Sequence, residues 1–229
     1  MDIIPISEIF GPTLQGEGSM IGTPTVFVRS GGCDYECRWC DTPYASRPNT
    51  CWVEMSAAGI FETVKRLAGA PMWVTLTGGN PAIHDFTAFL EMCRDHHYPV
   101  AMETQGSVSA QWFAKLDYMT ISPKPPSSGN ATSKDTVRDC IGWYGSDKPL
   151  CIKVVVSDGD DFDYAKAVSD WFGSMVPVYL QPNRLNCPAP TDQLMAMKSI
   201  FTQVQRDQRY NFRILPQLQR LLWGDGRAV

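Results

Sequence analysis

Three cysteines crowd the segment GGCDYECRWCDT, at Cys33, Cys37 and Cys40, in the spacing C-x3-C-x2-C. Thiolates are soft ligands that select zinc or iron–sulfur clusters. A structural zinc site closes four ligands, commonly as two C-x2-C pairs. Here the next cysteine is Cys51 and the first histidine is His84, neither spaced to complete such a set. A disulfide with one spare thiol fits a secreted chain better than this one. Three thiolates suit a [4Fe–4S] cluster that keeps its fourth iron open. An open iron can hold a small molecule through an amine and a carboxylate.

Composition narrows the setting. The chain has 229 residues, is 44% hydrophobic and 19% charged, and carries a net charge of −4; its pI is about 5.4. Phosphate-backbone binding needs a basic face, so a nucleic-acid partner is not expected. No apolar run approaches the roughly 18 residues of a membrane span. The start, MDIIPISEIF, has neither a basic region nor a long apolar stretch, so no signal peptide is visible. A cytoplasmic location follows as the expectation, with the eight cysteines read as thiols or metal ligands.

Such a loop needs elements to hold it. Residues 25–29, 73–77, 100–104, 118–122, 151–156, 178–181 and 212–215 read as strands, most of them near-continuously apolar. Between them, 56–68, 85–96, 161–173 and 191–206 carry helical periodicity, with Ser56 as an N-cap for the first. Alternating strand and helix implies a parallel α/β sheet, either an open barrel or a doubly wound fold. In both, chemistry sits at the C-terminal ends of strands. The polar clusters obey this: GGC, GGN, QG and SPK follow the first four strands in turn.

Other residues are read from their neighbours. Glu103 and Gln105, at a strand end, read as polar contacts to a ligand. Lys124 could meet a carboxylate, and Ser122 a ribose hydroxyl or an amine. Glu17, within LQGEG, reads most simply as a solvated loop acid. His84, His96 and His97 have no catalytic partners in sequence and read as surface residues at helix ends. Cys51, Cys93, Cys140, Cys151 and Cys187 read as small buried hydrophobes. Trp112, Trp143, Trp171 and Trp223 read as core or interface.

The triplet following a strand, with Trp39 inside it, resembles the radical S-adenosylmethionine (SAM) superfamily, in which SAM chelates the open iron. LTGGNP (76–81) resembles that superfamily's Gly-Gly-Glu-Pro motif, with Asn80 where glutamate usually stands. Residues 8–42, together with TGGNPA, ETQGS, TISPKPPSS and LPQLQRLLWG, resemble the 7-carboxy-7-deazaguanine synthase family over almost the whole chain. The resemblance implies a single radical SAM domain over 1–229, folded as a shortened, partial (β/α)6 barrel and homodimeric. It implies conversion of 6-carboxy-5,6,7,8-tetrahydropterin to 7-carboxy-7-deazaguanine with release of ammonia, in queuosine or other 7-deazapurine biosynthesis. Its cofactors would be the [4Fe–4S] cluster, SAM and Mg2+, with a flavodoxin-type or similar reductant. Residue by residue, it implies that Leu14, Gln15, Gly16, Arg29, Thr77 and Val229 meet substrate. Gly79, Ser122, Pro123, Lys124 and Gln181 would meet SAM, and Thr42 would bind Mg2+. It names no catalytic base. An activase that installs a glycyl radical on a partner protein is the alternative reading of the same triplet. A closed iron–sulfur electron carrier would want a fourth ligand.

Overall fold

The computed structural model describes residues 3–48 and 51–229. Seven strands lie parallel in chain order: β2 (Pro24–Ser30), β4 (Trp73–Gly78), β5 (Val100–Thr104), β6 (Tyr118–Ile121), β7 (Leu150–Val156), β8 (Val178–Pro182) and β9 (Phe212–Ile214). Two strands the sequence reading left out extend the sheet beyond β2. β1 (Ile3–Leu14) runs antiparallel to β2, and β3 (Val53–Ser56) antiparallel to β1. Pro5, Gly11 and Pro12 break up the apolar alternation of β1, and its register with β2 shifts between Phe10 and Thr13. That interruption hides the strand from a pattern reading.

Helices cross between successive parallel strands. α2 (Ala57–Ala68), α3 (Thr87–Asp95), α5 (Gly159–Phe172) and α6 (Asp192–Arg206) occupy the segments read as helical. The Ser56 hydroxyl caps α2 by accepting from the Gly59 amide at 3.2 Å. α4 (Lys134–Tyr144), capped by Ser133, the terminal α7 (Leu218–Trp223) and the single-turn α1 (Pro43–Ser46) were not expected. The β5–β6 crossover uses a short 3-10 helix, Gln111–Lys115, in place of an α-helix.

The side-chain alternation of the strands decides between the two architectures. Val26, Val28, Val74, Leu76, Val100, Met102, Met119, Ile121, Ile152, Val154, Val178 and Leu180 share one apolar core with Ile60, Val64, Phe89, Leu90, Val137, Phe162 and Ile200 of the helices. Helices therefore cover one face alone, and the parallel strands never reverse order. A doubly wound sheet would need helices on both faces and a reversal point. The sheet is instead a partial barrel with a concave inner face. Its floor is closed by the turn Gly18–Met20: Met20 packs on Ala101, Tyr118, Cys151 and Tyr179, and the Ser19 hydroxyl meets Tyr118.

Candidate functional site

The inner face opens into a cleft of about 440 Å³ at the C-terminal ends of the strands, a size suited to small ligands. Cys33, Cys37, Cys40, Leu14, Gln15, Gly16, Arg29, Thr42, Thr77, Gly79, Ser122, Lys124, Gln181 and Val229 all line it. Pro123, buried between Ser122 and Lys124, is not among the residues that line it. Residues from both ends of the chain thus meet in one cavity.

The cysteine loop leaves β2 and is tied down by its neighbours. The Gly32 amide donates to the Ala45 carbonyl, and the Asn80 amide to the Gly32 carbonyl, each at 2.8 Å. A side chain at Gly79 would overlap Gly32, and one at Gly78, which has φ +145°, would overlap Ser30. Gly79 is therefore required by the cysteine loop lying directly against it, and Gly78 by the end of β2 and its own positive φ. Trp52 covers Gly31 in the same way and donates to the Tyr44 carbonyl at 3.2 Å.

Asn80 fills the motif position usually held by glutamate and is fully buried. Its amide donates to Asp34 at 2.8 Å and Ser107 at 3.1 Å, and its oxygen accepts from Thr104 Oγ1 at 2.8 Å and the Ala82 amide at 3.2 Å. Asp34 also accepts from Gln105 Nε2 at 2.8 Å. A carboxylate at position 80 would confront Asp34, so the amide matches the loop of this chain.

Burial raises the thiols of Cys33 and Cys37, the latter to about 11, against a lowering pull from the Lys124 charge. Among the described residues, no three His, Cys, Asp or Glu side chains converge as ligands of one ion. The cleft lining carries, among the described residues, three cysteines from one loop, with no fourth cysteine and no histidine, one short of a closed structural zinc set of cysteine and histidine and the number that leaves a fourth iron open. The donor set fits the cluster.

At the other end of the cleft the site is built from charge. Lys153, 4% exposed on β7, pairs with Glu17 and Glu103. Glu17 Oε1 accepts from Gln217 Nε2 at 2.9 Å and Gln219 Nε2 at 2.8 Å. Burial works to raise the Glu17 carboxyl, but the Lys153 charge and these hydrogen bonds outweigh it and hold the carboxyl down at about 2. Burial works to lower Lys153, and the two carboxylates outweigh it, keeping the ammonium charged. Glu17 is thus no solvated loop acid, and that expectation is corrected. The missed residue is Lys153, and its signal was present: a lysine inside the apolar run CIKVVV needs a buried anion.

A second charged group holds Arg29. Glu8 of β1 accepts from Arg29 Nε and from Arg227 Nε, each at 2.8 Å, and from the Tyr44 hydroxyl at 3.0 Å. Burial pushes the Glu8 carboxyl up, and these partners bring it net below its ordinary value. Arg227 also stacks on Tyr44 at 3.8 Å from the ring centre, so the C-terminal tail closes over the cleft. The buried amide oxygens of Gln181, Gln217 and Gln219, all from cleft-lining residues, have no hydrogen-bond partner among the described residues. They suit a ligand rich in N–H donors.

Other expectations resolve unevenly. Cys93, Cys140, Cys151 and Cys187 are buried, but Cys51 is exposed. His96 and His97 are exposed, whereas His84 is half-buried, its Nε2 2.7 Å from the Gly31 carbonyl. Trp112 is buried, while Trp143 and Trp223 are exposed. Gln105 faces Cys33 and Asp34 rather than the open cavity alone.

No protein-family model matches the chain. It is 38% identical over 242 aligned positions to 7-carboxy-7-deazaguanine synthase of Bacillus subtilis, covering 99% of this chain and 98% of that one. The synthase of the same name from Bacillus cereus is 35% identical over the full length of both chains. A crystal structure of QueE from Escherichia coli superposes with a TM-score of 0.72 over 94% of each chain, at 22% identity. That likeness supports the fold.

Proposed function

The chain belongs to the 7-carboxy-7-deazaguanine synthase family, and from that premise we propose that this cleft converts 6-carboxy-5,6,7,8-tetrahydropterin to 7-carboxy-7-deazaguanine with loss of ammonia. The observation that carries this reading is the two-ended cleft, with three half-buried cysteines at one end and a donor-seeking polar wall at the other.

Cys33, Cys37 and Cys40 would hold the cluster, and Gly79, Ser122, Lys124 and Gln181 would face SAM. Pro123 joins Ser122 to Lys124 in that stretch. Bound there, the cluster and SAM supply one-electron reductive cleavage and hence hydrogen abstraction from the substrate. The protein's own contribution is placement. Arg29, its Nε engaged by Glu8, offers the rest of its planar fork to the substrate carboxylate. Leu14, Gln15 and Gly16 lie along the pterin, with Thr77 and the Val229 carboxylate at its edges. The glutamine oxygens and the carboxylates of Glu17 and Glu103, which Lys153 holds in place, accept from pterin N–H groups. Thr42, a hydroxyl at the cleft, supplies an oxygen ligand suited to Mg2+. The family resemblance further supports a single domain over 1–229, a homodimer, a flavodoxin-type reductant and a cytoplasmic setting. Among the described residues no helix is long and apolar enough to cross a membrane.

The test is anaerobic incubation of reconstituted protein with SAM, dithionite and the carboxypterin, followed by ultraviolet absorbance and mass. We expect the deazaguanine acid, with one equivalent of SAM supporting many turnovers. An intact, reducible cluster that yields none of this product would overturn the assignment.

A further inference from the structure

Each of the three cysteine sulfurs has a neutral side-chain partner from a different part of the fold. Gln105 Nε2, after β5, lies 3.5 Å from Cys33 Sγ, which also takes the Tyr35 amide at 3.5 Å. Asn130 Nδ2, in the loop between β6 and α4, lies 3.4 Å from Cys37 Sγ. Ser46 Oγ, at the end of α1, lies 3.3 Å from Cys40 Sγ. A thiol sulfur is a weak acceptor, and convergence of such partners on all three is not needed to satisfy the amides. Asn130 Nδ2 already reaches the Ser128 carbonyl at 3.4 Å, and Gln105 Nε2 already reaches Asp34. Sulfur becomes a worthwhile acceptor once it carries the charge of a ligating thiolate. Gln105 Oε1 also lies 3.7 Å from Cys33 Sγ, a contact available to the thiol alone. Once Cys33 ligates iron, Nε2 is the compatible partner.

We propose that Gln105, Asn130 and Ser46 set the reduction potential of the cluster by donating hydrogen bonds to its three ligating sulfurs. This deepens the reading of Cys33, Cys37 and Cys40 as cluster ligands and rests on it. Reduction takes one electron from a low-potential one-electron donor, and no bond forms or breaks. The added negative charge is shared with the sulfurs, so a donor pointing at each sulfur favours the reduced form and raises the potential. All three donors are uncharged, so each makes a graded contribution that the others do not replace.

The test uses full-length protein reconstituted anaerobically, with iron analysis and a dithionite redox titration followed by electron paramagnetic resonance. Gln105→Leu, Asn130→Leu and Ser46→Ala should each retain about four iron atoms per chain and shift the midpoint to more negative values. The combined variant should shift furthest, lowering the reduced-to-oxidised ratio at a fixed potential about tenfold, or about 59 mV for a one-electron couple. Gln105→Glu should shift further than Gln105→Leu, because it places a negative charge against Cys33. Unchanged midpoints with full iron content would overturn the proposal. If Gln105→Leu loses iron because Asp34 loses a donor, Asn130→Leu and Ser46→Ala, which leave that contact intact, decide the matter. Failure of the unaltered protein to take up about four iron atoms would instead overturn the ligand reading beneath it.

Discussion

The two faces of one sheet divide the work of this molecule. The outer face, under the helices, is apolar: Val28, Leu76, Met102, Ile121, Val154 and Leu180 share a single core. On the inner face, Arg29, Thr77, Glu103, Ser122, Lys153 and Gln181 come from the same strands or their ends and line the cleft. Adjacent residues on a strand thus serve opposite ends, because side chains alternate with a period of two. The outer face supplies burial, and the inner face supplies position and charge. Substitutions one residue apart should therefore separate folding from function.

The largest effect belongs to the inner face. Cys37→Ala should abolish cluster uptake and SAM cleavage, with iron falling well below about four per chain, while the thermal transition of the apoprotein stays close to that of the parent. Iron retained at full stoichiometry would break the assignment. Cys51→Ala, at an exposed site, should leave iron content unchanged.

Lys153→Met tests where the division is least clean, because Lys153 is an inner-face residue that the fold also depends on. It leaves Glu17 and Glu103 facing each other without a cation, which should cost roughly 3–5 kcal/mol in denaturant unfolding. The pH dependence has a defined sign. In the parent, the lowered Glu17 carboxyl stabilises the fold above the ordinary carboxylate range, and that contribution is lost as pH falls toward about 2. In the variant the two carboxylates repel when ionised, so its deficit should be greatest near neutrality and shrink on acidification. A deficit that is constant with pH would show that packing, not charge, is what Lys153 contributes.

Leu76→Ala sits next to Thr77 and on the other face, fully buried. We expect a loss of about 3 kcal/mol from the cavity it leaves, with iron content and substrate KM unchanged where the variant is folded. A large KM change at full stability would break the comparison.

The parts of this arrangement legible in the sequence are those that depend on near neighbours. Parallel strands announced themselves as apolar runs ending in Gly, Gln or Ser-Pro turns, and the cysteine triplet is a local spacing. Parts that depend on distant partners were not legible. Glu17 looked solvated because Lys153 lies 136 positions away, and Glu8 gave no hint of Arg227, 219 positions away. The paired glycines could be seen, but their cause, Ser30 against Gly78 and the backbone of Gly32 against Gly79, could not. The twelve-residue β1 was lost to its own prolines, although it carries Glu8 and so orients Arg29.

The smallest expected effect concerns Asn80, where the two faces meet at the end of β4. Its amide donates to Asp34 of the cysteine loop, while its oxygen accepts from Thr104 and Ala82. Asn80→Asp keeps the shape and both accepted bonds but replaces the donating nitrogen with an oxygen. The buried site must then hold a carboxyl against Asp34, and Ser107 must turn from accepting to donating. Leaving such partners unpaired should cost about 1–3 kcal/mol. Because Asp34 follows Cys33 directly, the variant should also take up iron more slowly, with the helix-covered core unaffected. Adding Asp34→Asn restores a donor between the two positions, so the double variant should recover most of both losses. Recovery of stability without recovery of iron uptake would mean that Asn80 serves the fold alone. Recovery of both would place the Asp34–Asn80 contact as the hinge by which the apolar strand ends fix the cysteine loop.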